Sequence, residues 1–305
     1  MGNYFIRRIF QMVFVIWGVV TVTFLIIRIV PGDPARLMEP PGTPEESIQV
    51  IRTRLGTDKP IPQQYVEYLA NLTRGDLGKP FRGGTSVTEV IAAKLPNTLK
   101  LGLVSIIVAT TIGSLLGVIA ALRQNSLIDK GVLVFVALAL ATPNFWLAVM
   151  LVLIFAIQLH WLPAIDMAGP ESYVLPVTAL AIVLLPLIVR TVRQSFTEAL
   201  TEDFVRAARA RGLSERRVIF LHVMKVAAIP LVTLVGIQAG FVLGGSLVVE
   251  SIFNWPGVGN YTLNAIQARD YPMVQGCVLV IASIFVVVNF LVDMTYAFLD
   301  PRIKF

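Results

Sequence analysis

Eight bases and four acids crowd into residues 190–230: Arg190, Arg193, Arg206, Arg209, Arg211, Arg216, Arg217 and Lys225, with Glu198, Glu202, Asp203 and Glu215. The chemistry such a cluster offers is ionic recognition. His222 within it reads as a partner-facing or solvated residue, not a catalyst. The cluster lies between two apolar runs, and a charge at mid-bilayer costs about 2.5–3.5 kcal/mol, so twelve would cost on the order of 30. The stretch is therefore expected outside the lipid, and its basic excess places it on the cytoplasmic side.

Other catalytic patterns are missing. There is no Gly-x4-Gly-Lys-Ser/Thr phosphate loop, no His-Glu-x-x-His pair and no Gly-x-Ser-x-Gly elbow. His160 and His222 are too far apart in sequence to suggest a metal site, and the single Cys277 excludes an intrachain disulfide. No cofactor is expected in the chain. A proton-coupled carrier would place ionisable groups deep in its spans. Here Arg28, Glu250 and Asp293 fall only towards span ends.

Composition sets the frame that must position these residues. The chain has 305 residues, 56% hydrophobic and only 14% charged, with a mean hydropathy of +0.76. Those values describe a polytopic membrane protein. Ile9–Val30 is longer than the 7–15-residue apolar core of a secretory signal and ends in Pro31-Gly32-Asp33-Pro34, so an uncleaved first span is expected. Further spans are expected at Leu99–Leu122, Gly131–Leu159 with a kink at Pro143, Leu175–Val189 interrupted by Pro186, Ile229–Val249, and Val274–Leu299. Arg123 and Lys130 follow the second span, Arg302 and Lys304 follow the last, and the loop after the third has neither Lys nor Arg. Alternation of basic loops puts both termini inside. Trp161, Trp255, Tyr261 and Tyr271 then fall in outer loops as interfacial aromatics. The expected fold is all-α, with six transmembrane helices, a small external α-rich domain between helices 1 and 2, and a cytoplasmic helical hairpin between helices 4 and 5. The domains are residues 1–30, 31–95 and 96–305, with the cytoplasmic loop at 190–230.

Residues 31–95 hold eight bases and eight acids. Pro44-Glu45-Glu46 starts a helix that Gly56 can end, Gln63–Leu72 is a second helix, and Arg74–Gly78 is a loop. This domain is either a cap over the helix ends or a docking surface using Glu45, Glu46, Arg52 and Arg54. In the basic stretch, Glu202-Asp203 opens a helix with Leu200, Phe204, Ala207 and Ala208 on its apolar face. Gly212 is placed for a left-handed C′ position and Ser214 for the next N-cap. That second helix carries Val218, Ile219 and Val226 on one side until Pro230 breaks it. Gly236, Gly240 and Gly244 recur every four residues. This stripe serves either close helix packing or a substrate-lining face with Gln238, Ser246 and Glu250. Gly113 and Gly117 read as packing. Asn260–Ala268 reads as a short surface helix.

Four segments together carry a resemblance. They are Pro31–Pro34, Asp203–Gly212, His222–Pro230 and Asn254-Trp255-Pro256-Gly257. The chain resembles the inner-membrane permease subunits of bacterial ABC importers in the dipeptide/oligopeptide/nickel group, over essentially its whole length. The general importer signature has Glu where this chain has Arg206, a departure read as subgroup character. The resemblance implies one of two related permeases, two ATPase domains carrying ATP and Mg, and an external binding protein. It further implies that Asp203, Phe204, Arg206, Ala207, Ala208, Arg209, Gly212, Leu213 and Ser214 seat in the ATPase. Dipeptides, longer peptides, glutathione and nickel chelates all fit as substrates, with short peptides preferred. The competing classes are a receptor or scaffold, a stand-alone carrier and a membrane enzyme.

Overall fold

The computed structural model describes residues 2–29, 33, 35–36, 39–40, 42–81, 84–164 and 169–299, apart from the side chains of residues 2–5, 54, 243, 245, 293 and 295–299. Three parts of the expectations lie outside the described residues. These are Pro31, Gly32 and Pro34, the side chains of Arg54 and Asp293, and the basic tail with Arg302 and Lys304. Among the described residues the ordered elements are all helical. Among the described residues five helices are long and apolar enough to cross a membrane, and six if the bent pair counts as one span. The protein is all-α and polytopic.

The elements are α1 (Gly2–Ile29), α2 (Glu45–Leu55), α3 (Ile61–Thr73), α4 (Val87–Leu122), α5 (Leu127–Ala141), α6 (Asn144–Leu151), α7 (Val174–Thr201), α8 (Asp203–Ala210), α9 (Glu215–Arg217), α10 (Met224–Ile252), α11 (Val258–Gln267) and α12 (Tyr271–Leu299). A π-helical run, Val152–Gln158, extends α6, and another, Val218–Val223, joins α9 to α10. The chain divides into two compact units, one of residues 1–98 and 256–286, the other of 99–255 and 287–305.

In the first unit, α3 lies on the last turns of α1. Phe24 is fully buried and stacks on Tyr68 at 5.6 Å, with Tyr65 edge-on at 5.1 Å. The Arg28 guanidinium lies over the Phe24 ring, 3.4 Å from its centroid, and donates to Gln64 Oε1 at 3.0 Å. Burial pushes the Tyr68 phenol up to about 12. The helix α2 starts after Pro44 and ends at Gly56, whose φ of 67° gives the left-handed stop expected from the sequence. The helix α11 is not a surface helix. Val258, Asn260, Thr262 and Ala265 are buried, and the Val258 N–H is capped by Thr98 Oγ1 at 2.8 Å. With Val87, Ile91, Met273 and Cys277 it forms this unit's apolar core.

The second unit is organised on α7. Its expected interruption at Pro186 does not occur, since the helix runs unbroken through that residue for 28 residues. Likewise Pro230 lies inside α10 and breaks nothing. A proline removes one backbone hydrogen bond, but α7, buried around Pro186, retains the others through its packing. Pro143 behaves differently. Thr142 before it is extended, with φ −87° and ψ 120°, and α5 and α6 meet at 100°. The residue before a proline is disfavoured in the α region, and here nothing overrides that preference. Trp255, expected at an interface, is 2% exposed and packs edge-on against Tyr173 at 4.7 Å.

The expected glycine contacts divide by position. An added Cβ at Gly113 would fall 2.7 Å from Ile188 Cγ2, and one at Gly117 would fall 2.8 Å from Val192 Cβ, so α4 and α7 touch through these glycines. Gly236 meets Val292 in the same manner. Gly244 faces open space.

Candidate functional site

The basic stretch builds a hairpin on the end of α7. Its first limb is α8, and the turn is closed by backbone alone. Gly212 sits at φ +78°, its N–H bonded to Arg209 O at 2.9 Å, and the Leu213 N–H bonds to Ala208 O at 3.3 Å. This pair of bonds is a Schellman closure, which needs a residue without a Cβ penalty at C′. Ser214 has the extended backbone of an N-cap, though its side chain makes no capping bond. Across the turn, Arg209 Nε donates to Glu215 Oε1 at 2.8 Å.

The hairpin's underside is apolar and fixed. Val205 and Ala208 from α8, with Val218, Val223 and Ala227 from the second limb, join Ile188, Val192, Phe196 and Ala199 of α7 in one core. Two details differ from the periodicity. Val205, not Ala207, points inward, and Ala207 is exposed. On the second limb the buried positions are 218, 223 and 227, and Val226 is exposed. The π-helical run inserts one residue into the spacing, so the inward face moves on by one position. Arg206 and Arg209 are left on the outer surface, and Asp203 reaches Arg206 at 3.4 Å. The result is a basic projection on a buried apolar base.

One buried ion pair was not anticipated from the sequence. Asp129, at the start of α5, is 2% exposed and takes two bonds from Arg193 of α7, Nε at 2.6 Å and Nη2 at 2.8 Å. Its Oδ2 also accepts the Asn125 N–H at 2.9 Å. The only sequence signal was an acid beside Lys130 at a span edge.

The residues proposed to line a path fall on α10. Gln238 is buried and donates to Leu184 O at 3.3 Å, across to α7. Ser246 donates to Glu250 Oε1 at 3.2 Å, and both are fully buried. Gly240 is buried between them and Gly244 is exposed. In the first unit, Arg52 Nε donates to Asp33 Oδ2 at 2.8 Å and its Nη1 to Glu45 Oε1 at 2.7 Å. Two of the expected docking residues thus hold α2 in place. Glu46 is exposed. Among the described residues, no group of three His, Cys, Asp or Glu side chains could hold a metal.

A many-spanning helical protein with a basic hairpin on its most buried helix fits a transport subunit. Comparison with known proteins agrees. Residues 113–305 match the family described as "Binding-protein-dependent transport system inner membrane component", and residues 1–102 match the corresponding N-terminal family. The chain belongs to this family and is the permease subunit of an ABC importer, a multi-pass inner-membrane protein. Over all 305 residues, and the whole of each relative, it is 36% identical to the "Glutathione transport system permease protein GsiC" of Escherichia coli O6:H1 and 37% identical to that of Pectobacterium atrosepticum. Its fold is similar to a chain of the MetNI methionine ABC transporter in an inward-facing form, with a TM-score of 0.58 and 19% identity over 69% of this chain and 96% of that one. Membership implies ATPase subunits, a second permease and a substrate-binding protein as partners.

Proposed function

We propose that the hairpin of Asp203–Ser214 is the coupling element of this permease, seated in an ATPase subunit that carries the ATP and Mg while this chain performs no catalysis. The observation that carries the reading is the hairpin's two-sidedness. Its lower face is locked into the α7 core, and its upper face presents Arg206, Ala207, Arg209 and Gly212 to whatever lies outside. A load applied to the upper face must move α7, because interfaces of this density shift as blocks.

In this reading the termini and hairpin are cytoplasmic, as the basic loops require, and residues 31–95 are external. A second related permease supplies the other half of the pathway. Gln238, Gly240, Gly244, Ser246 and Glu250 of α10 line or gate it. A binding protein delivers substrate, docking on the external segment through Glu46 and its neighbours. Short peptides are the proposed cargo. The glutathione named for the relatives is a tripeptide and one member of that class, and nickel chelates are the less favoured alternative.

The test is charge reversal. The Arg206→Glu/Arg209→Glu double variant should lose ATPase subunits on co-purification and lose ATP-driven uptake in vesicles, with the subunit's own thermal unfolding unchanged. Uptake at the native rate would overturn the assignment and leave a receptor or scaffold as the better reading.

A further inference from the structure

One helical turn of α7 has three attachments. On one side Val192 and Phe196 belong to the core that carries the hairpin. Val192 also meets α4 at Gly117, where an added Cβ would fall 2.9 Å from Val192 Cγ1. Next to it in sequence, Arg193 reaches away and grips Asp129 with two bonds. Because the same carboxylate holds the Asn125 N–H, this grip also fixes the turn between α4 and α5. Asn125 stands at φ 62°, a conformation that asparagine tolerates better than most residues. The Ser126 hydroxyl then caps the Asp129 N–H at 3.3 Å.

The contact between α5 and α7 is otherwise uneven. Val136 packs with Leu185 and Val189 in a small apolar cluster. Beyond it the surface opens into a groove of about 380 Å³, walled by Leu133, Arg190, Gln194 and Thr197. Arg193 borders this groove, so its bond to Asp129 is a strut across a gap, not filler in a packed interface. A planar guanidinium held at two nitrogens resists twist as well as separation, which a lone ammonium cannot do.

From this we infer that Asp129 and Arg193 form the joint that carries displacement of the hairpin-bearing helix into the bent α5–α6 pair. Both are positioning residues for transport. The inference rests on the coupling role proposed for the hairpin. The mechanism is directional. A load on the hairpin moves the 192–196 turn, the two-point ion pair draws the start of α5 with it, and the 100° corner at Thr142-Pro143 turns that movement into reorientation of α6. Apolar contacts alone would let α5 slide past α7.

The experiment uses the complete transporter reconstituted in liposomes with its ATPases, partner permease and binding protein. Asp129→Asn and Arg193→Gln are compared with Arg193→Lys, which keeps the charge but loses the fork. Three quantities are read: ATPase subunits retained, ATP hydrolysed, and substrate imported per ATP. Asp129→Asn and Arg193→Gln should lower import per ATP by about tenfold, with retained ATPase within about twofold of native, and Arg193→Lys should fall between. Native import per ATP in an assembled Asp129→Asn or Arg193→Gln complex would overturn the inference. So would import falling only in step with lost ATPase subunits, because that is the mark of a scaffold. If Asp129→Asn does not assemble, Arg193→Lys decides alone: reduced import per ATP supports the joint, and a native value removes it. Failure of the hairpin assignment would show separately, as ATPase retention by the Arg206→Glu/Arg209→Glu variant.

Discussion

Arg209 and Glu215 face each other across the Gly212 turn, with Nε 2.8 Å from Oε1 and Nη2 3.2 Å from Oε2. The fork-to-carboxylate geometry is good, yet both side chains are well exposed, so the pair contributes at most about 1 kcal/mol. The two residues should therefore separate by mutation. Glu215→Gln should leave ATPase co-purification within about twofold of native, because the turn is closed by backbone bonds and apolar packing. Arg209→Glu should abolish it, since the projected charge is inverted. Equal losses in both variants would mean that the pair itself, and not the outward cation, is what the ATPase reads.

Gly212 offers a sharper test of the same turn. A Cβ there would meet nothing within 4 Å, so any effect of substitution comes from the backbone and not from a clash. At φ +78° a side chain costs about 1–2 kcal/mol, more for a β-branched one. Gly212→Val should unseat the hairpin and stop ATP-driven uptake. Gly212→Asn should keep most of it, as asparagine enters this region at lower cost. Uptake assays on the two variants at matched expression check the difference.

Features set by local rules could be read from residue types. The left-handed stops at Gly56 and Gly212 and the span content of the chain are of this kind. What could not be read depended on partners remote in sequence. Asp129 and Arg193 are 64 residues apart, and in a list of loop charges the acid merely offsets a neighbouring lysine. Burial of Trp255 depends on Tyr173, and burial of α11 depends on Thr98 and Val87. The prolines failed as punctuation for the same reason. Pro186 is buried where tertiary packing carries the helix through, and α10 also continues through the exposed Pro230, whereas at Pro143 the preceding threonine is extended. The π-helical run shifted the inward face by one residue, a displacement that a fixed 3.6-residue period cannot show.

The glycines separate packing from other roles. Gly117→Ala would bring its methyl to 2.9 Å from the Val189 carbonyl oxygen, which is backbone and cannot rotate away. The expected cost is about 1–3 kcal/mol, seen as a lowered thermal midpoint of the detergent-purified subunit. Gly244→Ala, with open space around it, should leave that midpoint unchanged. If Gly244→Ala nevertheless reduces uptake, the site faces the partner permease or the pathway. If uptake is native, Gly244 serves neither role, and the stripe's packing lies with Gly236 and the buried Gly240.

Acid should loosen one contact at the start of α3. Lys59 donates to both Glu67 oxygens, at 2.7 and 2.8 Å, and this holds the Glu67 carboxyl below its usual 4.5. A depressed carboxyl stabilises the fold above its unfolded pKa, and that contribution is lost as pH falls through the folded value. The pair is exposed, so the effect is small and weakens with salt. Glu67→Gln should lower the thermal midpoint slightly at pH 7 and have no effect below the folded pKa. A midpoint difference that grows towards acid would reverse the sign and exclude the assignment.

Asp33 and Glu46 separate a structural role from a docking role in the segment around α2. Asp33 holds the Arg52 fork on one side while Glu45 takes Nη1 on the other, so the acid from the Pro31–Pro34 motif is committed to fastening α2. Glu46, one residue along, is exposed. Asp33→Asn leaves Arg52 with half its carboxylate partners and should lower the thermal midpoint, with capture by the binding protein falling in proportion. Glu46→Lys disturbs no internal bond and should leave the thermal midpoint in place. If the segment is a docking surface, Glu46→Lys alone will weaken capture of the loaded binding protein, and raising the salt will shrink the gap between variant and native. If capture is unchanged by Glu46→Lys and lost with Asp33→Asn, the segment acts as a cap over the helix ends.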